Sequence, residues 1–312
     1  MKLTNEKELP DVFVRAIKKN ERPLGAENDI SVTTLISQPQ AVQLRRKHFD
    51  ELEEDASKML FSLDGTLMHL LLERASDIDS DDIIEQTLSS NEFKLRLVGT
   101  PDLISEGVLY DYKNTSVFHI KGLLQDKEVK EEWLWQLNIY RYMFGCEKIK
   151  GIKIIAVARD WRQNEYDRMK EDGYPEKVTT FDIPVLSEKE IKTEIERRME
   201  LHYNERNGID HYECTDEERW ATPIVYAVKK AGNKRAIKLH DNLEDAQKHY
   251  NTLSDKADGK KGEAYLIEER PARFNRCEGY CNVAPFCEQF KKTQVSEMLG
   301  GGVSSLNLLE AK

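Results

Sequence analysis

Apolar residues recur at intervals of three and four positions in several stretches of the chain, which is the spacing of an amphipathic helix. The clearest stretches predict helices over residues 56–75 and 130–144. A long charged helix is predicted to begin after Ser187, because its spacing to Glu190 fits a capping box. This helix is expected to end at Gly208, the residue type most common just past a helix.

Strands are predicted where apolar and polar residues alternate or where β-branched residues form a short run. Residues 93–98 alternate, and residues 108–113 follow a turn at 105–107, so the two stretches are expected to form an antiparallel hairpin. The run at 152–158 is typical of a central strand covered on both faces, and 178–184 is a further strand. Helices between these strands predict an α/β fold with a mixed central sheet flanked by helices.

Residues 223–270 have a pattern of their own. Two strands, a helix and a last strand predict a small inserted ββαβ module, whose first turn lies at residues 231–233. The predicted division of the chain comprises an N-terminal arm at 1–28, a core at 29–222, the module at 223–270, a cysteine-rich metal-binding segment packed on the core at 271–294, and a flexible tail at 295–312.

Composition narrows the class of protein. With 39% hydrophobic and 33% charged residues, the 312-residue chain can form a packed core. It lacks both a secretory signal and an apolar stretch near the roughly 20 residues of a membrane helix, so a cytoplasmic protein without membrane attachment is expected. The net charge of −10 would by itself argue against a polyanionic partner. Residues 223–276, however, hold 12 Lys and Arg against 8 Asp and Glu, so the basic surplus lies in one segment.

The residues with the clearest chemistry come after the predicted strand at 93–98. Asp111 and Lys113 are two positions apart, so their side chains leave the same face of a strand. The turn at 105–107 can bring Asp102 close to Asp111. Converging carboxylates suit Mg²⁺ or Mn²⁺, and a neighbouring ammonium group can orient a water and offset charge on a phosphate. This set predicts metal-assisted phosphodiester hydrolysis; the alternative is a turn cap and an ordinary surface ion pair.

Four short motifs together resemble those of a known family. The sequences GTPD at 99–102 and DYK at 111–113 resemble the PD-(D/E)xK nuclease signature in its RecB-like form. His69 matches the upstream histidine of RecB-like members, and residues 136–140 match their QxxxY motif. The motifs follow the family's order and are most similar to those of phage and prophage exonucleases and of CRISPR-associated iron–sulfur nucleases. The resemblance implies a core of the restriction-endonuclease type.

The resemblance also implies a role for each matched residue. The implied ligands of a Mg²⁺ or Mn²⁺ ion are His69, Asp102, Asp111 and the backbone carbonyl of Tyr112. Lys113 would position the attacking water. Helical spacing, apart from the resemblance, places Glu73 on the same face as His69, where it could orient the imidazole ring or be no more than a solvated end of the helix. Gln136 and Tyr140 would complete the catalytic set at the edge of the site, where they hold the lysine or touch DNA. The alternative for these two is an amphipathic helix with Tyr140 in the core.

The cysteines suggest a second metal site. Five cysteines in a chain without an export signal argue against a disulfide framework. Cys277, Cys281 and Cys287 resemble the C-terminal triplet of iron–sulfur nucleases, in which a fourth cysteine completes a 4Fe-4S cluster. Many relatives have that cysteine before a proline near the N-terminus, where this chain has Gln38. Cys214 is the predicted fourth ligand because it lies just before the inserted ββαβ module. Zinc and the absence of a metal are the alternatives.

These observations predict a metal-dependent DNA exonuclease that acts on single- or double-stranded ends, in phage or prophage recombination, repair or processing. The module is predicted to contact phosphates through Lys229, Lys230, Lys234, Arg235 and Lys238. The alternative is that these residues form an ordinary polar surface. Trp133 and Trp135 could stack on bases or pack in the core. The alternative functions are an endonuclease with the same chemistry and a non-catalytic nucleic-acid-binding recombination scaffold with a structural metal site. A homo-oligomer and a recombination or single-strand-binding protein are the further partners considered.

Overall fold

In the computed structural model, the described residues are 1–20, 25–75, 81–126, 129–257 and 264–300. The chain divides into two compact units, Met1–Tyr212 and Glu213–Lys312. This boundary comes earlier in the chain than the one expected from composition, at 222–223. The finer division of the second unit stays a prediction, and most of the expected tail at 295–312 lies outside the described residues.

The first unit is a mixed α/β structure. Its helices are α1 (Asp11–Asn20), α2 (Val32–Leu35), α3 (Pro39–Lys47), α4 (Ala56–Arg74), α5 (Val117–Asp126), α6 (Glu131–Phe144), α7 (Gln163–Met169) and α8 (Glu188–Asn207). Its strands are β1 (Lys2–Thr4), β2 (Asp29–Ser31), β3 (Glu53–Asp55), β4 (Ile83–Ile84), β5 (Leu88–Ser90), β6 (Arg96–Gly99), β7 (Leu103–Ser105), β8 (Val108–Thr115), β9 (Gly151–Ala158) and β10 (Val178–Asp182). Residues 1–28, expected as an arm, thus contain a strand and a helix.

The central sheet has the strand order β10-β9-β8-β7-β4. Strands β8 and β9 are parallel, while the other pairs are antiparallel, so the predicted mixed sheet is present. The predicted hairpin between 93–98 and 108–113 is wrong. Strand β8 forms its hairpin with the short strand β7, whereas β6 belongs to a separate sheet with the order β2-β6-β5. Pro101 lacks the N–H that a continuous ladder needs, and the chain changes sheets at this point.

Helix α6 occupies the centre of the core of the first unit. Leu137 and Ile139 are fully buried, and Trp133 is 9% exposed, so this tryptophan packs in the core. The buried side chain of Asn138 links α6 to the start of α8, because its amide donates to Pro184 O and its oxygen accepts the N–H of Leu186. These bonds hold the face of α6 that carries Gln136 and Tyr140 in a defined position.

Helix α8 confirms its predicted ends. Ser187 Oγ accepts the N–H of Glu190, and the Glu190 carboxylate accepts the N–H of Ser187, which together form the capping box. Gly208 follows the helix in the left-handed conformation, with φ of 64°. Both ends are set by local hydrogen bonds, which is why they can be read from the sequence.

The second unit contains a three-stranded antiparallel sheet covered by one helix. The strands of the whole unit are β11 (Ala221–Thr222), β12 (Val225–Lys230), β13 (Lys238–His240), β14 (Tyr265–Arg270) and β15 (Arg273–Phe274). The helices of the unit are α9 (Leu243–Ala257), α10 (Asn275–Gly279) and α11 (Glu288–Gly300). The sheet order is β13-β12-β14, with α9 between β13 and β14 along the chain. Among the described residues, no helix combines the length and apolar character that crossing a bilayer requires.

Candidate metal centre

Four segments of the first unit position the predicted site residues. Helix α4 carries His69, the link between β6 and β7 carries Asp102, and β8 carries both Asp111 and Lys113. Because side chains alternate along a strand, the latter two leave the same face of β8. Helix α6 packs over this face and adds Gln136.

A histidine and two carboxylates converge in this region. His69 Nδ1 lies 2.6 Å from Glu85 Oε1 and 3.6 Å from Asp102 Oδ1. The ligand atoms of these three residues all lie within 4.8 Å of one another. Asp111 does not join this group at that spacing, but it is close enough to affect the pKa values of His69 and Asp102.

The backbone of β8 orients one of these carboxylates. The N–H of Tyr112 donates to Asp102 Oδ2 at 2.7 Å, so Asp102 turns its other oxygen toward His69. The structure therefore uses the N–H of Tyr112, whereas the predicted role of its carbonyl as a metal ligand stays a prediction. Asp102 and Asp111 are 7% and 2% exposed.

The lysine is held between two side chains. Lys113 Nζ lies 2.8 Å from Asp111 Oδ2 and donates to Gln136 Oε1 at 3.3 Å. Gln136 Nε2 in turn donates to the hydroxyl oxygen of Tyr140 at 3.4 Å. Tyr140 is 5% exposed and its ring packs against Gly99, where a Cβ would lie 2.6 Å from the ring. The QxxxY pair therefore holds the lysine, and Tyr140 is at the same time a core residue.

Burial of like charges explains the electrostatics of the site. Burial, and then the neighbouring Asp111, raise the pKa of Asp102 to about 7, although Tyr112, His69 and Lys113 act in the opposite direction. Burial also raises the pKa of Asp111, against the effect of Lys113. The hydrogen bond to Glu85 raises the pKa of His69 and outweighs burial.

These residues fit a hard divalent cation. Octahedral Mg²⁺ has ligand bonds of 2.0–2.1 Å, so adjacent ligand atoms lie about 3 Å apart. The two distances from His69 Nδ1, to Glu85 and to Asp102, fall on either side of this value. Asp111 Oδ2 is buried and accepts no well-aligned hydrogen bond from the described residues, although Lys113 lies near it. Burial raises the pKa of both Asp102 and Asp111, and a bound cation would offset this cost by stabilising their ionised forms.

Glu85 is the residue of this site that the sequence analysis missed. It follows the two-residue strand β4 in the left-handed conformation, with φ of 49°, and its N–H donates to Asp102 O at 3.1 Å. A non-glycine residue in this conformation is strained, and such strain is concentrated at functional sites. Glu73 was the expected partner of the imidazole, but its side chain lies outside those the structure describes.

The four predicted cysteine ligands lie in the second unit. Cys214 is held by Gln289 of α11, whose amide oxygen accepts the Cys214 N–H and whose amide nitrogen donates to the Cys214 carbonyl. Burial, followed by Glu218 and by the nearby Cys287 and Cys277, raises the pKa of Cys214 to about 12, while Arg276 acts in the opposite direction. Cys281 is likewise affected by Cys277 and Cys287. The fold thus brings Cys214 close to the C-terminal triplet, and none of the four is in a disulfide.

The grouping of these sulfurs can be compared with that of a zinc site. A tetrahedral zinc site with Zn–S bonds of about 2.3 Å places its sulfurs about 3.8 Å apart. Within the described part of the chain, no three of the cysteines have all their Sγ atoms within 4.8 Å of one another. Zinc and a 4Fe-4S cluster both stay predictions for these cysteines.

The predicted phosphate contacts of the ββαβ region differ in exposure. Lys229 is 17% exposed and forms an ion pair with Glu268, so it has a structural partner. Lys230 is half-buried. The remaining three of the set, Lys234, Arg235 and Lys238, are exposed.

Comparison with known proteins gives structural neighbours of low similarity. No family model matches the chain, and no curated protein matches it. The crystal structure of SSO0001 superposes with a TM-score of 0.43 at 15% identity, covering 67% of this chain and 90% of that one. An alkaline exonuclease (LHK-Exo) from Laribacter hongkongensis gives a TM-score of 0.37 at 10% identity, covering 64% and 98%. LHK-Exo in complex with dAMP gives 0.32 at 12% identity, covering 58% and 93%. Likenesses this weak leave the function to be argued from the residues of this chain.

Proposed function

We propose that this protein is a divalent-metal-dependent nuclease that hydrolyses phosphodiester bonds at DNA ends. The observation that carries the proposal is the convergence of His69, Glu85 and Asp102 beside the ion pair of the buried Asp111 with Lys113. A protein that only binds DNA needs no buried carboxylates next to a histidine, because carboxylates repel phosphates. The role in phage or prophage recombination is part of the same proposal and rests on the resemblance of the motifs.

Each residue of the site would have a distinct role in the reaction. His69, Glu85, Asp102 and Asp111 would hold Mg²⁺ or Mn²⁺, which when bound supplies Lewis-acid stabilisation of the charge that develops on a phosphate. Lys113, fixed between Asp111 and Gln136, would orient the attacking water with its ammonium group. Tyr112 fixes the direction of the Asp102 carboxylate through its N–H.

The cysteines belong to the proposal as a structural site. Cys214, Cys277, Cys281 and Cys287 would hold a 4Fe-4S cluster that ties the C-terminal helices to the rest of the second unit. The cysteine triplet near the C-terminus, which resembles that of iron–sulfur nucleases, supports a cluster over a single zinc ion. The cluster would have a structural role, because its bonds to the four cysteines would cross-link the C-terminal segment.

Replacement of the lysine tests the catalytic proposal. Lys113→Met is expected to lower cleavage of end-labelled DNA in Mn²⁺ on the order of 10²–10³-fold, because the charge near the phosphate is lost. Lys153→Met is the matched control, since Lys153 lies on the neighbouring strand β9 and also pairs with an aspartate, Asp182. Equal rates for Lys113→Met and the wild type would exclude the mechanism.

The choice of substrate separates the alternatives. Cleavage of linear DNA with sparing of covalently closed circles supports an exonuclease, whereas loss of the circles supports an endonuclease. DNA binding without cleavage in Mg²⁺ or Mn²⁺ would support the non-catalytic scaffold and exclude the enzyme.

A further inference from the structure

A row of side chains leads from the proposed site to the carboxyl ends of the parallel strands β8 and β9. Asp111, Lys113 and Thr115 are two positions apart on β8 and therefore face the same side of the strand. Strand β8 ends at Thr115, which pairs in register with Ala158 at the end of the parallel strand β9. Ligands of open α/β sheets bind outside the carboxyl ends of parallel strands. The residues after Thr115 thus lie where a substrate strand leaving the site would pass.

Two aromatic residues continue this row. His119 Nδ1 lies 3.3 Å from the hydroxyl oxygen of Thr115 and 3.3 Å from that of Ser116. The ring of Phe118 packs edge-on against the His119 ring, with centroids 5.8 Å apart and planes at 61°. A chain of contacts therefore connects the catalytic face of β8 with the ring of Phe118.

Phe118 is unusually accessible for its residue type. It is 80% exposed, the highest value among the large apolar side chains that the structure describes. Helix α5 does have a face for the core, because Ile120 is completely buried, but Phe118 lies outside that face. An aromatic ring left in water forgoes the stabilisation that burial would bring. Among the described residues, no contact buries this ring.

The surroundings of the two rings favour an anion. The pKa of His119 is lowered by partial burial and then by Lys130 and Arg159, while Asp160 acts in the opposite direction. The Asp160 carboxylate already accepts the N–H of Val117 at 2.7 Å. Lys130 and Arg159 are therefore two cations near His119 with which a phosphodiester backbone could pair.

We propose that Phe118 and His119 form a stacking platform for a nucleobase that flanks the scissile phosphate of a single-stranded DNA end. This inference rests on the proposed nuclease function. Every base has a π-face, so stacking gives affinity without sequence preference and fixes the position of the strand relative to Lys113. A duplex must unpair its terminal bases to use the platform, so single-stranded ends are the favoured substrate.

The test compares Phe118→Ala with Phe118→Tyr, which keeps an aromatic ring, and with Leu124→Ala. Leu124 is 45% exposed on the same helix, which makes it the matched control for loss of an exposed apolar side chain. Binding of fluorescently labelled single-stranded DNA is measured in EDTA, so that no divalent ion supports cleavage. Phe118→Ala is expected to weaken binding roughly 5- to 100-fold, while the other two variants bind like the wild type.

A second set of single-stranded DNA molecules tests whether the contact is base stacking. Each strand carries one abasic nucleotide, placed at successive positions from the end. When the missing base is the one that stacks, the wild type and Phe118→Ala should bind equally well, whereas at other positions the difference between them should persist. A purely structural role of Phe118 would give the same loss with every strand, and this result would overturn the platform.

The remaining outcomes separate this inference from the proposed function. If the wild type cleaves DNA in Mn²⁺ and Phe118→Ala binds and cleaves equally well, the platform is overturned and the nuclease stands. If the wild type neither binds nor cleaves DNA, both are overturned. A change of oligomeric state in Phe118→Ala, seen by size-exclusion chromatography with light scattering, would show that the ring contacts another subunit and would also overturn the platform.

Discussion

Asp102→Asn is expected to stabilise the metal-free protein at neutral pH and at the same time to abolish cleavage. Asp102 is 7% exposed, and burial together with Asp111 raises its pKa to about 7 from an ordinary value of 3.8. The folded state therefore keeps a proton that the unfolded chain releases. Its contribution to stability falls as the pH rises from about 4 to about 7 and stays low above that range. An amide avoids this cost because it carries no charge.

The size of the effect follows from the shift. A difference of about 3 pKa units corresponds to at most about 4 kcal/mol, at 1.36 kcal/mol per unit. The asparagine oxygen can still accept the N–H of Tyr112, so we expect a gain of roughly 2–4 kcal/mol above pH 7 and almost none at pH 4. In a unit of this size, each kcal/mol moves the melting temperature by about 2–4 °C, which predicts a rise of roughly 5–15 °C.

The assay is thermal unfolding followed by circular dichroism in EDTA at several pH values between 4.5 and 7.5. Asp50→Asn is the control, because Asp50 is an exposed aspartate in the turn Phe49–Glu51. Other titrating groups contribute equally to the stability of both proteins, so their effects cancel in the difference in melting temperature between the variant and the wild type. Addition of Mn²⁺ should then stabilise the wild type more than Asp102→Asn. The reasoning would be refuted by a difference in melting temperature that is the same at pH 4.5 and 7.5, or by a destabilised variant at pH 7.5.

Other predictions follow from single contacts. Gly99→Ala should lower stability by about 1–3 kcal/mol, because its Cβ would lie 2.6 Å from the ring of Tyr140; an unchanged melting temperature would contradict this close packing. Cys214→Ala should reduce the iron and sulfide content of anaerobically purified protein, and a cluster absorption spectrum equal to that of the wild type would remove Cys214 from the ligand set. Ser187→Ala should cost about 1 kcal/mol through loss of the capping box of α8, measured by thermal unfolding, and no loss would show that the cap is redundant.

Local patterns in the sequence were sufficient for the regular elements and for part of the site. Residues 56–75 and 130–144 are helical nearly to their predicted ends, since the 3.6-residue period depends only on neighbours along the chain. The shared face of Asp111 and Lys113 follows in the same way from the two-residue period of a strand. The clustering of Cys277, Cys281 and Cys287 is also a property of short sequence distances.

Only the tertiary structure decided which distant residues meet. The partner of β8 in its hairpin is β7 and not the stretch at 93–98, because strand pairing depends on competition between sheets that periodicity does not record. Glu85 enters the site through a strained backbone at the end of a two-residue strand, and Phe118 remains in water although it lies two residues before the completely buried Ile120. Neither position has a local signal, because long-range packing sets both the path of the backbone at Glu85 and the face that α5 buries.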